Sequence, residues 1–348
     1  MEEPTTAPEP AAPIIDEDPA TMDLGAKVDQ AWADFQSALA EALPTLPETM
    51  AGLEITLDPS AAGHGTSVYS VTVDLAEPEQ LRAYAVSNRM LPQEHLLPMK
   101  RLADVMAMGW QPPQVVPDSG ERFGLMLARS AVVPFSKIIT RTLREVYGSP
   151  HPAFLLYTAV DREGAPVAEP PPLGVARPVG SDGAAELDYA DLKALPLDQK
   201  VALALSAMLN VAPDSLPIDS DGDIGIRSGS AMVFVRVRDE PPLVQVFSPV
   251  LTEVKEQARL YQKLSDLTHR MPIGRLYYEV EGGTIWAGIT IMGRDFQATH
   301  LMLALEVMTR LADELDDKLR REFGGRRFFG DPDEGPEPEP PANIGLYM

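Results

Sequence analysis

The 348-residue sequence has no cysteine. That excludes a disulfide framework, thiolate zinc and iron–sulfur sites, and a cysteine nucleophile. Histidine is scarce, with five residues: His64, His95, His151, His269 and His300. None shows His-x-x-x-His spacing or sits in a His-Glu-x-x-His or Gly-x-Ser-x-Gly context, so each reads as a structural side chain. There is no Walker loop and no Gly-x-Gly-x-x-Gly opening a helix, which removes the common phosphate cradles. Bases are few: 29 Lys+Arg face 52 Asp+Glu, a formal net charge of −23. Binding phosphate backbones needs a concentrated basic face, so nucleic acid is not expected as a partner. No apolar run approaches the ~18–20 residues of a membrane span. Glu2 and Glu3 stand where a signal peptide would carry Lys or Arg, and no apolar stretch follows them. The expectation is a cytoplasmic chain without membrane span, metal, cofactor or catalytic residue.

Proline, by contrast, is abundant, with 34 residues. Residues 1–22 hold six acids, five Pro and no Lys or Arg, and residues 331–348 hold five acids, five Pro and no base. Such segments bury too little apolar area to offset backbone entropy and read as disordered acidic tails. A third Pro-rich stretch, 163–184, carries Pro166, Pro170, Pro171, Pro172 and Pro178 and reads as a linker. The expected division is two α+β domains, 23–162 and 185–330.

In the second domain, Val201, Ala204, Leu205 and Met208 predict a helix after Asp198. "IGI", "AMVFVRVR" and "LVQVFSPV" predict three strands, and Leu260, Leu264 and Leu267 a second helix. "RLYYEVEGGTIWAGITI" predicts a hairpin turning at Gly282–Gly283. A helix from about 295 to 322 closes the domain, with its stripe at Leu301, Ala304, Leu305, Met308, Leu311, Leu315 and Leu319. The order is α-β-β-β-α-β-β-α. The first domain begins alike, with a helix (Val28, Trp32, Phe35, Leu39), three strands, and a helix on Leu96, Met99, Leu102, Ala103 and Met106. It then diverges: 110–132 has at most one strand, near "RFGLMLA", before a helix on Phe135, Ile139, Leu143 and Val146 and a final strand "PAFLLYTAV".

"DSDGD" (Asp219–Asp223) has three carboxylates spaced as in a calcium loop, but Gly222 is misplaced and position 12 is Ser230, so a turn is expected. Arg320, Arg321, Arg326 and Arg327 bracket the last helix, where cations favour a helix C-terminus; contact with an acidic tail is the second reading. A two-residue turn at Gly282–Gly283 would set Glu279 opposite Trp286, Tyr277 opposite Gly288 and Val280 opposite Ile285. The first hairpin sets Val235 opposite Val246 and Val237 opposite Val244 on a core face. It sets Phe234 opposite Phe247 and Arg236 opposite Gln245 on the other. The outward face then gathers Met232, Phe234, Phe247, Tyr277 and Trp286 with Arg236, Arg238 and Glu279. An apolar centre in a polar surround marks a contact surface, either covered by another domain or subunit or used for a peptide. "NIGLYM" (343–348) follows the Pro/Glu spacer as an apolar motif able to dock on a groove, and the tails could compete with clients for the Arg-flanked face.

The element order with one long closing helix resembles the type III secretion chaperone-like fold. "SDGDIGIRSGSAMVFVRV", "PPLVQVFSPVL", "LSDLTHRMPIGRLYYEVEGGTIW" and "ALEVMTRLADELDDKLRREFGG" resemble its YbjN-like branch of peptide-binding chaperones. "WADFQSALAEALPTL", "YAVSNRML" and "LADVMAMGW" resemble the N-terminal domain of two-domain members. The resemblance implies no catalysis. It implies capture of extended or amphipathic client segments, often by dimers. The expected function is a peptide-binding chaperone or adaptor that uses the outward face. The alternative is a structural or regulatory interaction protein with that face permanently buried in a dimer or between domains.

Overall fold

The computed structural model describes residues 23–44, 52–58, 68–74, 79–161, 165–167, 170–179, 194–228 and 231–328. The two acidic tails, the Ile344–Met348 motif and His64 lie outside them.

The first unit opens with helix α1 (Leu24–Ala42), whose Asp23 side chain accepts from the Ala26 N–H at 2.9 Å as N-cap. Strands β1 (Gly52–Leu57), β2 (Ser70–Asp74) and β3 (Gln80–Ala85) form an antiparallel meander. Helix α2 (Met99–Ala107), strand β4 (Phe123–Ala128), helix α3 (Val132–Arg141, continued by a π-turn Thr142–Val146) and strand β5 (Leu155–Val160) follow. A two-residue strand, β6 (Arg177–Pro178), completes the sheet order β4-β3-β2-β1-β5-β6. Alternate residues (Leu53, Ile55, Val71, Val73, Leu81, Ala83) bury one face into the core that also holds Phe35 and Leu39 of α1.

The second unit follows the expected α-β-β-β-α-β-β-α order: α4 (Leu197–Leu209), β7 (Ile224–Ser228), β8 (Ala231–Arg238), β9 (Leu243–Leu251), α5 (Ala258–Arg270), β10 (Arg275–Glu279), β11 (Thr284–Met292) and α6 (Ala298–Phe323). Its sheet order is β10-β11-β9-β8-β7. The architecture is α+β in both units, but the sheets close differently. In the second, β11 adds beside β9 and β10 outside β11. In the first, β4 adds beside β3 and β5 crosses to pair with β1. This is the divergence that the single strand in 110–132 foreshadowed.

Three expectations are corrected. Helix α4 starts at Leu197, so Asp198 lies in its first turn rather than capping it. Helix α2 turns most of its predicted stripe outward: Met99 is 80% exposed, Met106 and Ala103 are exposed, Leu102 packs partly buried on the core, and Val105 is the buried residue. The cause lies just upstream. The Asn88 side chain bonds both the N–H and C=O of Leu97 (2.8 and 2.9 Å), so Leu97 enters the core and Leu96 stays outside, ahead of the helix. The Pro-rich stretch, where described, is packed rather than a free spacer. Leu173 is fully buried, Tyr157 donates to the Pro171 carbonyl, Val179 N–H donates to the Tyr157 carbonyl, and Arg177 pairs with Asp58.

Helix α1 packs on α3 of its own unit and also on α4 and β7 of the other, with a parallel backbone β-bridge between Asp23 and Arg227 beside it. Most buried apolar residues of both units form one continuous cluster. Separate cores would melt separately; a shared one should melt together. Calorimetry is expected to give a single unfolding transition with coincident near-UV and far-UV signals. Two resolved transitions would contradict the shared core.

Candidate aromatic sheet face

Helix α6 covers one face of the second sheet, and Leu301, Leu305 and Met308 join Val233, Val235, Val244, Val246, Ile285 and Ala287 in the main core. The opposite face carries a second, separate apolar cluster: Phe234, Phe247 and Trp286, with Met232 and Tyr277 packed against it. Local sequence places them. In β8 and β9 the alternation of Val with Phe fixes the register, and Phe234 pairs with Phe247, Arg236 with Gln245, Val235 with Val246 and Val237 with Val244, as read from the sequence.

The second hairpin is shifted by two residues from that reading. Tyr277, not Glu279, faces Trp286, and the turn is the four residues Val280–Gly283. Val280, expected opposite Ile285, is 57% exposed in the turn. A tertiary contact sets the longer turn. Gly283 has φ +62, its carbonyl accepts from the Val254 N–H at 2.8 Å, and a Cβ there would meet the Val254 carbonyl at 3.0 Å. Tyr278 also donates to the Val254 carbonyl at 2.6 Å. Because the shift is even, every side chain that remains in the two strands keeps its face.

The rings form one contiguous surface. Phe234 and Phe247 stack with centroids 5.5 Å apart, and Trp286 lies 5.9 Å from Phe247. The Trp286 indole N–H donates to Glu279 at 3.3 Å, and the Arg236 guanidinium sits 5.1 Å above the Phe247 ring. Arg238 donates to Gln245 at 3.0 Å. All eight residues picked from the sequence therefore share this face. The three rings are nevertheless only 5–8% exposed, so the face is not open in this chain.

Sequence reasoning missed four participants. Asp223, 0% exposed, accepts a two-point hydrogen bond from Arg236, with Nε at 2.6 Å, and this contact raises the arginine's pKa. The "DSDGD" turn exists to present it: Asp219 Oδ1 accepts from the N–H groups of Asp221 and Asp223, and Gly222 has φ +82. Asp223 is thus committed to Arg236. Arg227 and Arg275 also lie on this face by register. Phe328 meets Phe234 edge-on with centroids 6.5 Å apart. Its signal was the aromatic pair Phe328–Phe329, two arginines after the Gly324–Gly325 helix stop. Gly325, at φ +91 and too close to the Thr252 carbonyl (2.7 Å) for any Cβ, lets the chain leave α6, bridge Thr252 through Arg326 and pass to the aromatic side.

The arginines around the end of α6 are used locally. Arg326 pairs with Glu253 at 3.4 Å, Arg327 with Asp316 at 3.0 Å, and Arg321 donates to the Asp317 carbonyl. Among the described residues no helix is long and apolar enough to cross a membrane.

No relative among the curated proteins matches the chain. One chain of the "Crystal Structure of the ExsC-ExsE Complex" aligns over 35% of this chain and 96% of its own, at 12% identity and a TM-score of 0.31, a likeness too slight to build on. Family matches are more direct. Residues 25–161 match TY-Chap3, "T3SS (YopN, CesT) and YbjN peptide-binding chaperone 3". Residues 196–331 match TY-Chap1, "T3SS (YopN, CesT) and YbjN peptide-binding chaperone 1". Two α+β units, each matched over nearly its full length, place this chain in the superfamily of type III secretion and YbjN peptide-binding chaperones.

Proposed function

We propose that the chain, organised as domains 23–162 and 185–330, is a non-enzymatic, cytoplasmic peptide-binding chaperone or adaptor. It captures apolar segments of a client protein on the face formed by Met232, Phe234, Phe247, Tyr277 and Trp286. Arg236, Arg238 and Glu279 orient the segment. The observation that supports this reading is the aromatic cluster itself, which lies apart from the main core on the sheet face opposite α6. Aromatic anchors with a charged surround are the usual energetic centre of a protein contact.

A peptide array of apolar 15-residue sequences, followed by fluorescence anisotropy of the best binder, provides the test. Phe247→Ala and Trp286→Ala are each expected to weaken binding by ~1–3 kcal/mol. Unchanged binding by folded variants would move the site elsewhere.

A second reading is favoured by the low exposure of the rings. Here the face is a permanent interface of a structural or regulatory protein, buried within the chain itself between domains; closure by a dimer partner alone would leave the rings exposed in the single chain. In that case no array peptide binds in any variant, and Trp286 stays inaccessible at all protein concentrations.

A further inference from the structure

We propose that the segment Ile344–Met348 of this same chain is the resident occupant of the aromatic face, a ligand in cis that a client must displace. The inference rests on the peptide-binding reading and specifies how that site is regulated.

Three observations lead to it. First, the chain already heads onto the face. Gly325 turns it away from α6, and Phe328 lands edge-on against Phe234. Second, the composition beyond Phe328 suits the face. Asp331, Asp333, Glu334, Glu337 and Glu339 follow with no base among them, and then come Ile344, Leu346, Tyr347 and Met348. The face offers the matching arrangement: apolar rings at its centre, with Arg227, Arg236, Arg238 and Arg275 around them against Glu279 and Asp223. Third, the reach is ample. Ile344 follows Phe328 by 16 residues. At ~3.1 Å per residue in an extended Pro-rich chain this allows about 50 Å, several times the ring spacings of the cluster. Tethering at that length gives an effective concentration on the order of millimolar, so an intrinsically weak segment still holds the site. Prolines in the spacer also limit the conformations lost on docking.

The test uses the full chain and its Leu346→Asp/Tyr347→Asp variant, which alters no described residue. Trp32 and Trp110 are buried in the core, so acrylamide quenching reports chiefly on Trp286. In the variant, Trp286 is expected to become readily quenched. A fluorescein-labelled peptide of residues 340–348 added in trans should bind the variant about tenfold more tightly than the unaltered chain. Equal quenching and equal peptide affinity in the two proteins would overturn the cis ligand while leaving peptide binding standing. Increased quenching with binding of the 340–348 peptide in trans but of no other apolar peptide would uphold the cis contact and overturn the chaperone reading. Quenching and mass that change together with protein concentration would make a second copy the occupant and overturn the inference.

Discussion

Arg236→Ala is expected to destabilise the protein by about 3 kcal/mol, because it strands a carboxylate in the interior. Asp223 is 0% exposed, and its oxygens accept from Nε and Nη2 of Arg236. Without the guanidinium its charge loses its partner at a site already cut off from water. The low end of the range for breaking buried pairs is appropriate, since Arg236 keeps some contact with solvent. Arg236→Lys should recover only part of the loss, for an ammonium keeps the charge but not the fork. Urea titration would show the effect as a lower midpoint at unchanged slope. A loss below about 1 kcal/mol would place the pair in the class of ordinary surface bridges. The near-UV signal of the aromatic cluster should weaken as well, because Arg236 also lies over Phe247.

Acidification should remove about 3 kcal/mol of stability through His151 alone. This imidazole is fully buried, and burial pushes its pKa down from 6.5 to about 4. Its Nδ1 accepts from the Ala153 N–H at 3.1 Å, its Nε2 has no hydrogen-bond partner among the described residues, and Phe154 stands at its edge. A second proton would have to take the Nδ1 lone pair already in use. The folded ring therefore stays neutral while the unfolded ring begins to protonate near pH 6.5. Between about pH 6.5 and 4 the unfolded state binds more protons, so stability falls as pH falls, at ~1.4 kcal/mol per unit. Below about pH 4 both states are protonated and the loss stops. His151→Gln should flatten this window relative to the unaltered chain in urea melts at successive pH values. Parallel curves would show that His151 is not the responsible group.

Legibility in the sequence followed how local each determinant is. The β8–β9 register could be read because Val and Phe alternate through both strands around one short turn. The α6 stripe and its stop at Gly324 could be read for the same reason. The β10–β11 turn could not, because its length is set by the Val254 N–H and carbonyl, distant in sequence. Nor could the facing of α2, which depends on the Asn88 side chain gripping Leu97. In the candidate site the eight side chains were visible by parity alone, since even a two-residue slip keeps the face. Their burial and their partners Asp223 and Phe328 were not, because both arrive from loops whose paths no periodicity encodes.

The Pro-rich stretch after the first unit has a consequence for self-association. β6 closes the margin of the first sheet beside β5, and it does so with Pro178 opposite Tyr157. Proline has no N–H, so a foreign strand approaching this border lacks a donor where it would need one. The Arg177–Asp58 pair adds charge at the same border. A member of a peptide-binding chaperone superfamily thereby keeps the outer strand of its own first sheet from recruiting foreign strands.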